Sequence, residues 1–396
     1  MKHRILVLGA GYAGAYTAGN LARRLSPADA EITVVNAESD FVERLRLHQL
    51  AAGRPLRTRR LADIFAGTGV RLRLARVTAV DPERRTVAVT GEDGDDELAY
   101  DTLVYTLGSR VADHGVPGVA EHAYDVTGLP SALRLRARLD ELEDGGRVLV
   151  VGEGLTGIET VTEIAESRPG LSVALAARGE PGAWLSPGAR DHLHRAFDRL
   201  GIAVHERTGI AAVETERAIG TDGTSMPSDA TVWSAGFAVG PLAADGGLAV
   251  AGTGQIIVDR TMRSISHPDV YAAGDSAYAI GENGRPLPMS CASAGYTGGQ
   301  AIDAIVGHLT GRRIPTAKLP YLGNHISLGR RDGIVQMVDG DVHAKSWYLS
   351  GRTAARFKAG VLFGARLGVA HPTFGMPRRR RRLAAAPAGS ARTVAA

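Results

Sequence analysis

Apolar runs of four residues, each closed by a glycine, punctuate the first two thirds of the chain, and helix-like spacing follows them. Ile5-Leu6-Val7-Leu8 leads into Gly9-Ala10-Gly11-Tyr12-Ala13-Gly14, and Val148-Leu149-Val150-Val151 leads into Gly152-Glu153-Gly154-Leu155-Thr156-Gly157. Such runs read as strands buried on both faces, the kind that parallel sheets require. The pattern predicts a helix through Tyr16 to Leu25 after the first loop and another over Ile158 to Ile164 after the second. Ile32 to Val35 supplies the next strand. Val70 to Val89 then alternates in strand fashion, with turns at Asp81-Pro82 and at Gly91-Glu92-Asp93-Gly94. Tyr100 to Tyr105 ends in Thr106-Leu107-Gly108, and Pro117-Gly118 opens a crossover into a helix over Leu129 to Leu142.

After the second loop the plan repeats. A strand is predicted over Leu171 to Ala176, a helix near Asp191 to Leu200, and a strand at Thr231-Val232-Trp233 that ends on Ser234-Ala235-Gly236. The chain then returns through Ile256 to Asp259 and Asp269 to Ala273 to the pair Gly274-Asp275. A helix of small residues, Ser293 to Val306, follows. The fold class is α/β, with two Rossmann-like domains, the second inserted into the first, and a C-terminal segment.

Each glycine loop reads strand, tight turn, helix. The first glycine permits the turn, the second lets a pyrophosphate approach the backbone, and the third lets helix and strand pack closely. The helix N-terminus attracts the phosphate charge. One such loop is a weak signal, but two of them about 140 residues apart, in the same context, point to two bound dinucleotides.

Composition narrows the chemistry. Cys291 is the one cysteine, so a dithiol relay and the reductases built on it are excluded. The histidines show no paired metal-ligand spacing, and no metal is expected. No apolar run approaches the ~18–20 residues of a spanning helix, and the N-terminus runs directly into a strand, which argues for the cytoplasm. Charge is unevenly placed: after Asp341 the chain has eleven Lys and Arg and no acid, so of the overall +4 the preceding residues carry −7. That asymmetry suggests an anionic partner, either a membrane surface or nucleic acid, or else a solvated basic tail. Ala384 to Ala396 is low in complexity and is expected to be unfolded.

With Gly274-Asp275 in place, residues 1 to about 335 resemble the two-dinucleotide flavoproteins of the pyridine-nucleotide reductase superfamily. The resemblance implies FAD at Gly9, Gly11, Ala13 and Gly14, with Asp275 on the ribityl and pyrophosphate portion, and NADH or NADPH at Gly152, Gly154 and Gly157. Gly108 and Gly236 close the two crossover strands and, with Gly274 and Val77, are counted as cofactor-binding. The implied domains are FAD-binding over 1–112 and 250–335, NAD(P)H-binding over 113–249, an acceptor- or membrane-facing segment over 336–377, and a basic tail over 378–396. Within the superfamily, the missing dithiol and the Gly157-Ile158-Glu159 sequence look most like the type II NADH dehydrogenases. Glu159 is then the acidic residue near the nicotinamide and flavin.

Three positions depart from the family pattern. Asn36, with Glu38 two residues on, stands where an acid normally holds the FAD ribose. Ala177 stands where an acid normally holds the NADH ribose, and the neighbouring Arg178 favours a 2′-phosphate, so NADPH is expected at least as readily as NADH. The stretch Pro288 to Tyr296 lacks the glutamines of the family's quinone motif. The resemblance thus implies an FAD-dependent NAD(P)H dehydrogenase with a small-molecule acceptor, a quinone at family level. The alternatives are a soluble reductase for a dedicated substrate or redox carrier, and a redox-switched flavoprotein that binds a membrane or partner. Partners expected are the acceptor and an anionic membrane surface, peripherally on its inner face. A homodimer is also carried as an expectation, and nucleic acid is not. His48 is open to two readings, a proton donor by the flavin or a helix-surface histidine. Cys291 reads as a buried filler, and Asn324 and His325 lie on a segment that could approach the flavin edge.

Overall fold

The computed structural model describes residues 1–315, 321–339, 341–373 and 380–384. Along the chain the first domain opens with β1 (His3–Leu8), α1 (Tyr12–Arg24), β2 (Ala30–Asn36) and the short α2 (Leu47–Ala51). A meander of β3 (Val70–Asp81), β4 (Thr86–Gly91) and β5 (Gly94–Ala99) precedes β6 (Thr102–Tyr105). The inserted domain holds β7 (Ala123–Tyr124), α3 (Leu129–Glu141), β8 (Arg147–Val151), α4 (Leu155–Ser167), β9 (Ser172–Ala176), α5 (Pro187–Leu200), β10 (Ala203–His205) and β11 (Ala230–Trp233). The chain returns through β12 (Val270–Ala272) and α6 (Cys291–Thr310) to β13 (Gly323–Ser327), β14 (Gly333–Val338), β15 (Ala344–Ser350) and α7 (Gly351–Ala370).

The first sheet has the order β12-β6-β1-β2-β3-β4-β5. It is parallel from β12 to β3 and antiparallel through the meander. The second, β7-β11-β8-β9-β10, is parallel throughout. In each sheet the strand leading a glycine loop is flanked on both sides, which is why Val7, Leu8, Val150 and Val151 are buried and why the run reads as unbroken apolar sequence. Both loops therefore open at the carboxyl ends of parallel strands, where the sheet order reverses and ligands bind in such folds.

A third, antiparallel sheet, β13-β14-β15, carries α7 against it. This unit begins at Gly323, so the boundary expected at 336 falls inside β14, because β13 pairs along its whole length with β14. One hydrophobic core runs through the second domain and takes in Leu47 and Leu50 of α2 and Ile326, Leu328 and Ile334 of the C-terminal sheet. The three units meet around that core, and the site lies where they meet.

The segment read as a basic tail has a place over Arg380–Ala384. Arg381 exchanges backbone hydrogen bonds with Arg24 and Ser26 at 2.9 and 2.8 Å, Arg382 pairs with Asp29 at 2.6 Å, and Leu383 packs on the first domain's core. Arg378, Arg379 and residues 385–396 lie outside the described residues. No helix among the described residues is long and apolar enough to cross a membrane.

Candidate active site

A cavity of about 1020 Å³ joins the two glycine loops and is walled on its far side by the C-terminal unit. The loops themselves show what they were shaped for. Gly9 has φ +90°, and a Cβ there would stand 2.6 Å from the Thr106 carbonyl oxygen; one on Gly14 would stand 1.9 Å from the Gly9 oxygen. Gly152 and Gly157 repeat this, at 2.5 Å from the Ser234 oxygen and 1.8 Å from the Gly152 oxygen. The first and third glycines are thus demanded by the chain's own packing.

The second glycines are not. A Cβ on Gly11 or Gly154 would meet no protein atom within 4 Å. Both are extended N-cap residues, of α1 and α4, both line the cavity, and neither has a side chain to satisfy the helix's first N–H groups. Each loop therefore leaves open the space a pyrophosphate would fill, against unsatisfied amides at a positive helix end. The residues present fit two dinucleotides.

The structure brings most of the expected FAD positions to this cavity. Ala13, Asn36, Glu38, Gly108, Gly274 and Asp275 all line it. Asn36 does more than substitute for an acid: its Oδ1 accepts from the Ala10 N–H at 2.9 Å and its Nδ2 donates to the Glu38 carbonyl at 2.8 Å, so it fastens the loop to the end of β2. Asp275 accepts from the Ser109 hydroxyl at 2.6 Å and lies 3.6 Å from Arg44. Arg44 in turn donates to the Ser109 carbonyl and hydroxyl at 2.8 and 2.9 Å and sits over the Phe237 ring. Arg44 and Ser109 were not singled out from sequence, which holds no local signal for either.

Val77 is a correction. It packs in the first domain's core with Val87 and Val89 and does not line the cavity. Strand alternation puts it on a face, but a register shift between Val77 and Ala79 and the antiparallel partner β4 turn that face inward.

On the nucleotide side, Gly236 and Arg178 line the cavity. Ala177 is fully buried while Arg178 is exposed. The Glu153 carboxylate accepts from the backbone N–H groups of Arg178 and Gly179 at 3.1 and 3.2 Å, so a negative charge from the glycine loop stands beside the turn that follows β9.

Glu159 is buried on α4, and its Oε1 accepts from Lys358 Nζ at 2.6 Å and from the Ser327 N–H at 2.8 Å. Burial pushes the carboxyl up, but Lys358 and the two hydrogen bonds outweigh it and hold the carboxyl below its ordinary range. Lys358, on α7, also donates to the His325 carbonyl at 2.7 Å. An ammonium has three N–H donors, so one is left, and Lys358 lines the cavity. His325 lines it too, whereas Asn324 is occupied accepting from the Tyr321 hydroxyl at 2.6 Å. His48 is no surface histidine: it is buried at the cavity wall, burial pulls its pKa down to about 4, and its Nε2 has no hydrogen-bond partner among the described residues. Cys291 also faces the cavity, and burial pushes its thiol up, away from a reactive thiolate.

One turn beyond Glu159, Glu163 is only 1% exposed and neither carboxylate oxygen is hydrogen-bonded, with Arg330 Nε at 3.5 Å. Burial pushes this carboxyl up. An acid whose pKa is raised by folding stabilises the fold only while protonated, and that contribution is lost as pH rises through the folded value. Glu163→Gln is therefore expected to raise Tm at neutral pH, with the gain shrinking as pH falls below about 4, where the native group becomes protonated in both states. A Tm difference that does not change between these pH values would show that the charge is not the cause. Among the described residues no group of three His, Cys, Asp or Glu is placed to hold a metal.

Two loops shaped for pyrophosphates, opening into one cavity between an outer domain and the domain inserted in it, define a flavoprotein oxidoreductase of the two-dinucleotide class. The chain belongs to the pyridine nucleotide-disulphide oxidoreductase family, whose model matches residues 3–298. It is similar to an NADH dehydrogenase-like protein of Mycobacterium tuberculosis, 30% identical over 351 residues that cover 82% of this chain and 86% of the relative. It is also similar to the type II NADH:quinone oxidoreductase of Staphylococcus haemolyticus, 26% identical with 87% and 92% covered. Among solved structures, NDH2 of Plasmodium falciparum in complex with NADH superposes with a TM-score of 0.78 at 16% identity, covering 96% of this chain and 100% of that one. The chain is accordingly an FAD-dependent oxidoreductase that uses NADH or NADPH. A single cysteine leaves it no disulfide of its own to reduce.

Proposed function

We propose that this enzyme takes hydride from NAD(P)H and passes two electrons to a quinone-like acceptor that enters beside the C-terminal unit. One observation carries the reading: the cavity that joins both nucleotide loops continues to a wall made by Tyr321, His325, Lys358, Val361 and Leu362, which neither loop needs. The name of the staphylococcal relative supports the acceptor class. Bound flavin supplies the redox chemistry, accepting a hydride and giving up two electrons. The protein orients the partners and excludes water. Val361 and Leu362 offer apolar surface to a ring, and the spare N–H of Lys358 offers a donor to a carbonyl oxygen that gains charge on reduction. That donor stands in for the missing glutamines. Stopped-flow reduction by each nicotinamide, then reoxidation by a quinone series and by oxygen, tests the assignment: quinones are expected to reoxidise the enzyme much faster than oxygen, and the reverse order would refute it.

Nucleotide choice rests on two charges at the turn after β9. The exposed Arg178 favours a 2′-phosphate, and the Glu153 carboxylate opposes it. Arg178→Ala is expected to lower kcat/KM for NADPH about tenfold, or ~1.4 kcal/mol, with NADH within about twofold. Glu153→Gln should move the ratio the other way. An unchanged ratio in the arginine variant would place Arg178 in solvent only.

The enzyme is further proposed to work peripherally at an anionic membrane surface. Exposed Phe357 and Phe363 on α7 lie among Arg352, Arg356 and Arg366, a mixture suited to the lipid interface. Three glycines, Gly360, Gly364 and Gly368, weaken this helix on its own, so charge should dominate and binding to anionic vesicles should fall steeply with salt. Cosedimentation that ignores salt would count against this.

A further inference from the structure

Outside the nucleotide cavity a second cavity, of about 320 Å³, lies between the C-terminal half of α7 and the segment around Phe41 and Arg59. Its size is at the lower end of small-ligand pockets, too small for a dinucleotide, and it has no glycine loop. Its lining divides by chemistry. Phe41, Phe363 and Leu367 give it an apolar side, while Arg57, Arg59 and Arg366 also line it, Arg366 with its guanidinium 5.9 Å over the Phe363 ring.

Among the described residues the cations outnumber the carboxylates that line the cavity. The one carboxylate in the lining, Glu43, is nearly buried and is already paired with Arg46 at 3.3 Å, leaving Arg366 at 3.9 Å. Arg59 reaches the Ala370 carbonyl at a marginal 3.5 Å. Arg57 is exposed and has no hydrogen bond or ion pair among the described residues. His371, which follows α7, adds a further nitrogen. A cavity with surplus guanidinium on one side and aromatic and aliphatic surface on the other is complementary to an anion that carries an apolar chain.

We propose that this cavity binds the phosphate of an anionic phospholipid, with the start of its acyl chain against Phe363 and Leu367. The inference rests on the peripheral-membrane reading and deepens it, because it places the headgroup contact at the C-terminal end of α7. Arg382, which that reading of the sequence would assign to lipid, is instead tied to Asp29. Free phosphate shares the guanidinium contacts but not the apolar ones. Each methylene buried against that side should tighten binding about fourfold.

The test uses the whole holoenzyme and short-chain lipids below their micellar concentration. Dihexanoyl phosphatidylglycerol is titrated against dihexanoyl phosphatidylcholine and inorganic phosphate, by calorimetry, on the native enzyme and on Arg57→Glu and Arg57→Lys. Phosphatidylglycerol is expected to bind at least about tenfold more tightly than either comparison, Arg57→Glu to lose about tenfold, and Arg57→Lys to retain most of the affinity. Flavin content and turnover with a soluble acceptor should not change. Equal binding of inorganic phosphate would make this a free-anion site, and equal binding of phosphatidylcholine would show that the net charge of the headgroup is not read; either result overturns the proposal. Vesicle cosedimentation separates the two readings. If the enzyme sediments with anionic vesicles but short-chain phosphatidylglycerol ignores Arg57→Glu, the membrane reading stands and the cavity falls. If it binds neither vesicles nor short-chain lipid, both fall.

Discussion

Gly11→Val is expected to give a folded protein without flavin. A Cβ at this position would meet nothing within 4 Å beyond its chain neighbours and its own helix, so a branched side chain starts into open space; what it fills is the space beside the N-terminus of α1 where the pyrophosphate must approach. The backbone there is extended, a conformation valine adopts readily. FAD affinity should fall at least about a hundredfold, roughly 2.7 kcal/mol, while the circular dichroism of the chain stays native. Gly14→Val provides the contrast, because its Cβ would lie 1.9 Å from the Gly9 carbonyl oxygen and the helix could no longer approach its strand. That variant should fail to fold at all. The pair separates ligand space from packing, and full flavin occupancy in Gly11→Val would refute the assignment of the first loop.

Lys358→Met is the second large effect expected. Lys358 holds the buried carboxylate of Glu159, and removing one partner of a buried ion pair leaves a charge without compensation, typically at a cost of ~3–5 kcal/mol. The native enzyme keeps Glu159 below its ordinary pKa, so the pair stabilises the fold above the unfolded value and that contribution is lost as pH falls through the folded one. With the cation gone, burial is opposed chiefly by the Ser327 hydrogen bond and is expected to outweigh it, so the sign reverses: stability should fall as pH rises from acid toward neutral. Thermal melts of native and variant enzyme over that range are therefore expected to slope in opposite directions. Glu159→Gln combined with Lys358→Met should recover much of the lost stability, because no lone charge is left inside. The double variant should still reoxidise slowly with quinones, since the spare N–H of Lys358 is gone. Fast reoxidation would show that the lysine serves only the fold.

The two readings of Glu159, from sequence and from structure, differ in their neighbours. Its place on the helix after the second loop was legible, because the loop, the helix start and the residue lie within eight positions of one another. Its partners were not: Lys358 is 199 residues away on α7, and the Ser327 amide belongs to β13. The same holds for Arg44, whose partner Ser109 is 65 residues away in the first domain and whose contact with the Phe237 ring crosses to the inserted one.

What the amino-acid order determined by itself was what short-range sterics and periodicity govern: the buried strands, the turns that only glycine allows, the helices that follow, and hence two dinucleotide loops and the domain insertion; the class of chemistry came with the family resemblance those motifs carry. Tertiary structure alone decided which faces meet. It turned Val77 into the core through a bulge and a hairpin partner, extended the C-terminal unit back to Gly323 through strand pairing, and set Arg382 against Asp29. It also brought Lys358 to Glu159 and left Arg57 and Arg366 around a cavity. Side-chain partners across distant segments depend on how helices and sheets pack, and packing is settled by the whole apolar surface to be buried, so no local pattern encodes it.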